Sequence, residues 1–143
     1  MSKTYWVNEG IGINCSELVP YLSRKKIIAF LRKLNPEYAE HLKENVTDDE
    51  LQEIIDGDFD GLCKVLAVAG ESSVLVWAHG GEGGSREGYL LYPPKYPWNL
   101  TEDDPKTEEE ARELIKKAVR RVCEISEERL DCLIDFIYEV TWN

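Results

Sequence analysis

Three aspartates at alternate positions, followed by a glycine, are the residues of this 143-residue chain whose spacing best fits a chemical site. They are Asp56, Asp58 and Asp60. The pattern D-x-D-x-D-G begins a calcium loop, in which alternate carboxylates converge on the ion and Gly61 permits a sharp turn. The twelfth position of such a loop needs a glutamate, but Ala67 stands there, and Lys64 occupies the ninth. No metal or other cofactor is therefore expected, and a calcium-responsive module is kept as an alternative.

A histidine beside a glycine-rich stretch is the best candidate for catalysis. His79 begins the sequence HGGEGG, and such loops can form an oxyanion hole or a phosphate cradle. The chain has no G-x-S-x-G nucleophile elbow and no G-K-[ST], and Arg86 is the only nearby base. A pairing of His79 with Cys63 stays open, without local support. We therefore expect a non-enzymatic protein, with a small enzyme that uses His79 as an alternative.

The charge balance is strongly acidic, because 28 Asp and Glu residues stand against 17 Lys and Arg residues, for a formal net charge of −11. Such a chain repels nucleic acid and anionic membranes, so no direct contact with either is expected. The acids gather in two clusters. The first includes Asp48, Asp49, Glu53, Asp56, Asp58 and Asp60, and the second includes Glu102, Asp103 and Asp104.

Only part of these clusters has a local structural reason. Acids in the first turn of a helix interact favourably with its dipole, which explains Asp48 and Asp49. The remaining carboxylates predict a negative face that docks on a Lys/Arg-rich groove of a protein partner. A merely solvated acidic face is the alternative.

Aromatic residues accompany the second acidic cluster. Tyr92, Tyr96 and Trp98 lie in or beside the segment PPKYPW, which its prolines hold extended. Residues 93–96 also match P-P-x-Y, the ligand pattern of WW domains, but they lie between a strand and a helix rather than in a flexible tail. We expect the three rings either to cover the core or to form an aromatic contact surface that anchors a partner.

Alternation of apolar and polar residues predicts a small antiparallel sheet of about three strands. Period-two alternation over residues 4–13 predicts the first strand, in which two glycines indicate an edge, a bulge or a sharp bend. Residues 73–92 predict a hairpin, with strands at residues 73–78 and 89–92 around a long glycine-rich loop.

Helices are expected before and after the hairpin. Capping boxes are Thr47 with Glu50 and Thr107 with Glu110. Ser126 begins a last helix that is expected to turn Ile137 and Tyr138 inward. Residues 62–69 fit a helix, although a strand there stays open. The fold class is therefore α+β, in a single domain over residues 1–143.

Cysteine usage and the chain start indicate a cytoplasmic protein. The cysteines are Cys15, Cys63, Cys123 and Cys132. None forms a C-x-x-C pair, and their apolar neighbours predict buried, reduced thiols. The start MSKTYWVNEG lacks the apolar run of a signal peptide, and no apolar stretch approaches the length of a membrane span.

The segment GYLLYPPKYPW and the residues before it, about residues 59–98, resemble small acidic proteins encoded by bacteriophages and bacterial mobile elements. The resemblance implies an inhibitor of host defence, such as an anti-CRISPR protein, that acts in the host cytoplasm. Some inhibitors of this kind mimic nucleic acid. In bulk composition the chain is also similar to acidic immunity proteins against nuclease toxins. No catalytic or binding residue is carried over from either group.

The sequence therefore predicts a non-enzymatic acidic interaction domain that inhibits a basic, nucleic-acid-handling protein, such as a nuclease or a CRISPR effector. The two acidic clusters and the three aromatic rings are its expected contact residues. A calcium-responsive module, a toxin immunity protein and a small enzyme are the alternatives.

Overall fold

A computed structural model of the chain describes residues 5–34, 36, 47, 49–51, 53, 65–66, 69, 74–80 and 87–142. The strands are β1 (Tyr5–Asn14), β2 (Val76–Gly80), β3 (Glu87–Tyr92) and β4 (Asp135–Trp142). The helices whose bounds lie within these residues are α1 (Arg24–Leu34), α2 (Glu108–Arg120) and α3 (Glu127–Leu133), with 3₁₀ turns at Cys15–Tyr21 and Pro97–Asn99.

The four strands form one antiparallel sheet in the order β2-β3-β1-β4. Together with the helices, this sheet confirms the expected α+β class, with four strands rather than three. The predicted hairpin is also confirmed, since β2 pairs with β3 from Val76 opposite Leu91 to Gly80 opposite Glu87. The first of its strands runs two residues beyond its expected end at residue 78.

The additional strand replaces the second half of the expected last helix. Helix α3 ends at Leu133, and β4 then pairs with β1 from Asp135 opposite Gly12 to Trp142 opposite Tyr5. The expectation that Ile137 and Tyr138 face inward from a helix is therefore wrong. The segment FIYEVTW is rich in β-branched and aromatic residues, which pack well on a sheet, and β1 offers it a partner for its whole length.

Two glycines let neighbouring strands approach β1 closely. A Cβ atom at Gly12 would overlap the carbonyl oxygen of Leu90, and Gly10 has a φ of +148°, which L side chains rarely adopt. Of the three expected reasons for these glycines, an edge position is wrong for Gly12, which is opposite both Leu91 of β3 and Asp135 of β4, whereas Gly10 is opposite only Ile137 in the described ladders. The pairing of β1 with β3 ends at Ile11 opposite Tyr92, since Pro93 follows and has no N–H to donate.

The helices pack on one face of the sheet. The core joins Ile13 of β1 and Leu90 of β3 to residues of α1, α2 and α3, and these include Ile27, Leu31, Ile115, Val119 and Leu130. A smaller cluster lies on the opposite face and consists of Ala78, Tyr89, Leu91 and Ile137. Alternate residues of β3 thus belong to different clusters, because successive side chains of a strand point to opposite faces.

Helical segments begin at the capping residues expected from the sequence. The Thr107 hydroxyl accepts from Glu110 N, and the Ser126 hydroxyl accepts from Arg129 N. Thr47 and Glu50 form a reciprocal capping box, in which each backbone N–H donates to the other side chain. The described residues 65, 66 and 69 are helical, which favours the helix over the strand in that segment. Within the described ranges, no helix is long and apolar enough to cross a membrane.

Candidate functional site

A buried carboxylate organises the segment between β3 and α2. Asp104 is 5% exposed, and its Oδ2 accepts from the backbone N–H and the hydroxyl of Thr101 at 2.8 and 2.9 Å. Its Oδ1 lies 2.7 Å from Lys95 Nζ and accepts from the Tyr92 hydroxyl at 3.0 Å. One side chain therefore ties both ends of residues 93–104 together, and we call this segment the anchored loop.

These contacts favour the ionised form of Asp104. The hydrogen bond from Lys95 holds the pKa of the Asp104 carboxyl far below its usual value, and the donors of Thr101 lower it further. Burial is the main cause that raises the pKa of Tyr92, and the adjacent Asp104 raises this pKa further. Asp104 therefore acts as an internal clamp, and its carboxylate does not form part of the exposed acidic surface.

The anchored loop presents two aromatic rings to solvent. Tyr96 and Trp98 are 66% and 77% exposed, and their rings stack in parallel with centroids 4.8 Å apart. A 3₁₀ turn at Pro97–Asn99 sets this spacing, and it is closed by a 2.9 Å hydrogen bond from Asn99 N to Tyr96 O. Tyr92, by contrast, is half-buried and packs against the core. Of the two expected roles for the rings, Tyr92 takes the first, and Tyr96 and Trp98 are available for the second.

The remaining expected contact residues divide between exposed positions and undescribed ones. Glu102 and Asp103 are exposed in the anchored loop, next to the aromatic pair in sequence. Asp49 and Glu53 are also exposed, in the helical segment whose Leu51 is buried in the core. The other expected residues of the first cluster lie outside the described residues, and these are Asp48, Asp56, Asp58 and Asp60.

A second buried charge was not foreseen from the sequence. Lys116 is 2% exposed in α2, and its Nζ lies 2.7 Å from Glu127 and from Asp131 of α3 and 3.4 Å from Glu113. The hydrogen bond to Asp131 raises the pKa of Lys116 despite the opposing effect of burial. All of its partners are side chains of the same pair of helices, so this cluster fixes α3 against α2.

Three cysteines lie in the described residues. Cys15 and Cys123 are buried as expected, and burial raises the pKa of the Cys123 thiol to about 12. Cys132 was also expected to be buried, but it is exposed on the outer side of α3. Cys63 and the calcium-like loop lie outside the described residues, and so does the side chain of His79. In the part of the chain that is described, no three His, Cys, Asp or Glu side chains converge on a metal position.

No protein-family model matches the sequence, no curated protein matches it, and no solved structure matches its fold.

Proposed function

We propose that this chain is a non-enzymatic interaction domain that inhibits a basic, nucleic-acid-handling protein in the cytoplasm, such as a nuclease or a CRISPR effector. One observation carries the proposal. The stacked pair of Tyr96 and Trp98 stands in solvent on a loop that the buried Asp104 holds in place. Glu102 and Asp103 supply negative charge in the same loop.

The loop's geometry supports binding, because the entropy of ordering the loop is lost when the protein folds and not when the partner binds. Ordering a flexible segment at an interface opposes association, and a loop that is already held avoids this cost. Tryptophan and tyrosine are also the side chains that most often dominate interface energies. The contacts that hold the loop are those of Asp104 with Tyr92, Lys95 and Thr101. The exposed rings of Tyr96 and Trp98 take no part in these contacts, so they are available to a partner.

The charge distribution supports a basic partner. Exposed carboxylates occur in both clusters, at Asp49 and Glu53 and at Glu102 and Asp103. With a net charge of −11, the chain attracts Lys/Arg-rich surfaces over several ångströms and accelerates encounter with them. A groove that normally holds a nucleic-acid backbone is such a surface.

Affinity purification from the native host tests the proposal. We expect wild-type protein to retain a nucleic-acid-handling protein at low salt and to release most of it at high salt, because screening weakens contacts between exposed charges. Trp98→Ala is expected to weaken retention by about tenfold or more, as for an interface hot spot. The matched control is Val19→Ala, which truncates a 47% exposed residue outside the loop.

Charge-reversal variants distinguish an effect of particular acidic residues on binding from an effect of the overall net charge. Asp56→Lys, Asp58→Lys and Asp60→Lys together are expected to abolish retention. The control reverses three exposed acids outside both clusters, and these are Glu17, Glu124 and Glu128. Both triple variants change the net charge equally, so equal retention by the two, or salt-independent retention by wild type, contradicts the proposal.

A further inference from the structure

The anchored loop lies beside a row of side chains that crosses three strands. Ile11 of β1 is opposite Tyr92 of β3 on one side and opposite Phe136 of β4 on the other. Directly opposed residues of antiparallel strands project from the same face of a sheet. Tyr92, Ile11 and Phe136 therefore share a face, and Tyr138, two residues further along β4, projects from it as well.

The anchored loop covers one end of this row. Lys95 Nζ lies over the Tyr92 ring, 6.0 Å from its centroid, and the Tyr92 hydroxyl donates to Asp104. Neighbouring strands are about 4.8 Å apart, so Phe136 lies roughly 10 Å from Tyr92 across the sheet. The loop and the first half of β4 therefore flank the same stretch of sheet.

Both flanks are apolar and exposed. Phe136 and Tyr138 are 55% and 59% exposed, similar to the two rings of the loop. An aromatic residue has about 150–250 Å² of surface to bury, so the four together expose roughly 500 Å². Each partner contributes about 800 Å² to an interface of standard size. These four residues thus offer more than half of such a contribution. The largest apolar patch of a typical monomer is about 300–600 Å², and such a patch is often functional.

Acidic residues border these flanks. Glu9 is opposite Tyr138, so its carboxylate projects from the same face, and Glu102 and Asp103 are exposed in the loop. Two bases beside these flanks are themselves paired with carboxylates. Lys95 pairs with Asp104, and Arg112, whose guanidinium donates to Ile134 O just before β4, pairs with Asp131. An apolar centre bordered by carboxylates complements a protein surface that has apolar side chains ringed by Lys and Arg.

We propose that the anchored loop and residues Phe136 and Tyr138 of β4 form one docking surface, which binds an apolar protrusion of the basic protein partner between them. This inference rests on the proposed function and extends the contact from the loop to the sheet. The same partner molecule contacts both flanks.

Site-specific photo-crosslinking tests this arrangement. The photoreactive residue p-benzoylphenylalanine is placed at Trp98, at Tyr138 or at Val19 of the full chain, in the native host. Val19 is the matched control, because it is 47% exposed in the 3₁₀ turn at Cys15–Tyr21, outside the anchored loop and β4. We expect adducts of the same mass at positions 98 and 138, with a basic nucleic-acid-handling protein, and none at position 19.

The outcomes separate the two proposals. An adduct at position 98 alone overturns the extended surface and leaves the proposed function standing. No adduct at either position overturns both. An adduct of twice the chain's mass at position 138 shows that a second copy covers β4, and an equal yield at position 19 shows non-specific contact, so either result overturns the extended surface.

A second pair of variants measures the contribution of β4. Phe136→Thr with Tyr138→Thr keeps β-branched residues in the strand, so the fold is expected to persist. Affinity for the crosslinked partner is expected to fall about tenfold or more, as at an interface hot spot, whereas Val19→Thr, at an exposed residue outside the loop and β4, leaves it unchanged. Unchanged affinity of the folded double variant contradicts the extended surface.

Discussion

Lys95 Nζ lies 2.7 Å from Asp104 Oδ1, and this ion pair connects the start of the anchored loop to its end. The Asp104 side chain is almost fully buried, whereas that of Lys95 is one-quarter exposed. The pair is therefore a contact in which a sheltered carboxylate positions a surface loop. The exposed aromatic pair lies between these two residues in sequence.

Replacing the clamp is expected to loosen the loop. Asp104→Asn removes the charge that Lys95, Thr101 and Tyr92 all contact, so several donors lose a strong acceptor. Thermal unfolding is expected at a lower Tm, and partner affinity is expected to fall because the loop is no longer held. Asp103→Asn is the control, since this neighbour is exposed, and its Tm is expected to match wild type. If Asp104→Asn and Asp103→Asn have equal Tm values, the contacts of Asp104 do not stabilise the anchored loop.

Stability is expected to fall in acid, in part through Asp104. The pKa of its carboxyl is lower in the folded protein than in the unfolded chain, so the folded state binds fewer protons at mildly acidic pH. Its contribution is complete above the unfolded pKa of about 4 and is lost as pH falls below it. Urea unfolding between about pH 6 and about pH 2.5 measures this loss, and Asp104→Asn is expected to show a shallower decline. If wild type and Asp104→Asn lose the same free energy of unfolding over this pH range, Asp104 does not contribute to the acid sensitivity.

The buried lysine is expected to stabilise the contact between α2 and α3. Lys116→Met keeps the apolar stem but removes the charge that Glu127 and Asp131 contact. Because both carboxylates are about half-exposed and water replaces part of the interaction, we expect a loss of about 1–2 kcal/mol in the free energy of unfolding. Urea denaturation measures it. Lys117→Met at the exposed neighbouring position is the control and is expected to change little.

A side chain at Gly12 is expected to disrupt the centre of the sheet. The Cβ atom of Gly12→Ala would overlap the carbonyl oxygen of Leu90 and the side chain of Leu91. Strand β3 must move to accommodate it, at a cost of about 1–3 kcal/mol. Urea denaturation of the variant measures this cost. Stability equal to wild type would show that β1 and β3 are not so close.

Local sequence patterns predicted the helix caps and the hairpin but not the edge of the sheet. Thr107 and Ser126 cap their helices through neighbouring residues, so the pattern contains the whole interaction. Strand β4 depends on β1, which is more than 120 residues away in sequence. Leu130, Ile134 and Ile137 fit helical spacing, whereas the alternation of Phe136 and Tyr138 fits a strand. The strand is stabilised by pairing with β1, and a short stretch of sequence does not contain that information.

The candidate site was predicted in its residue types but not in its arrangement. Tyr96, Trp98, Glu102 and Asp103 are exposed, as contact residues must be. Asp104 belongs to the same acidic run, yet the donors that bury it come from residues 92, 95 and 101. A run of like charges therefore does not indicate which carboxylate is internal, because that depends on how the loop folds back.

Competition with nucleic acid tests the central claim most directly. The captured partner is bound to fluorescent nucleic acid, and the chain is titrated into the complex while anisotropy reports the release. We expect wild-type protein to displace the nucleic acid completely, and Trp98→Ala to require a concentration about tenfold higher or more. If anisotropy stays high at saturating wild-type protein, the partner binds both at once and the proposed inhibition is wrong.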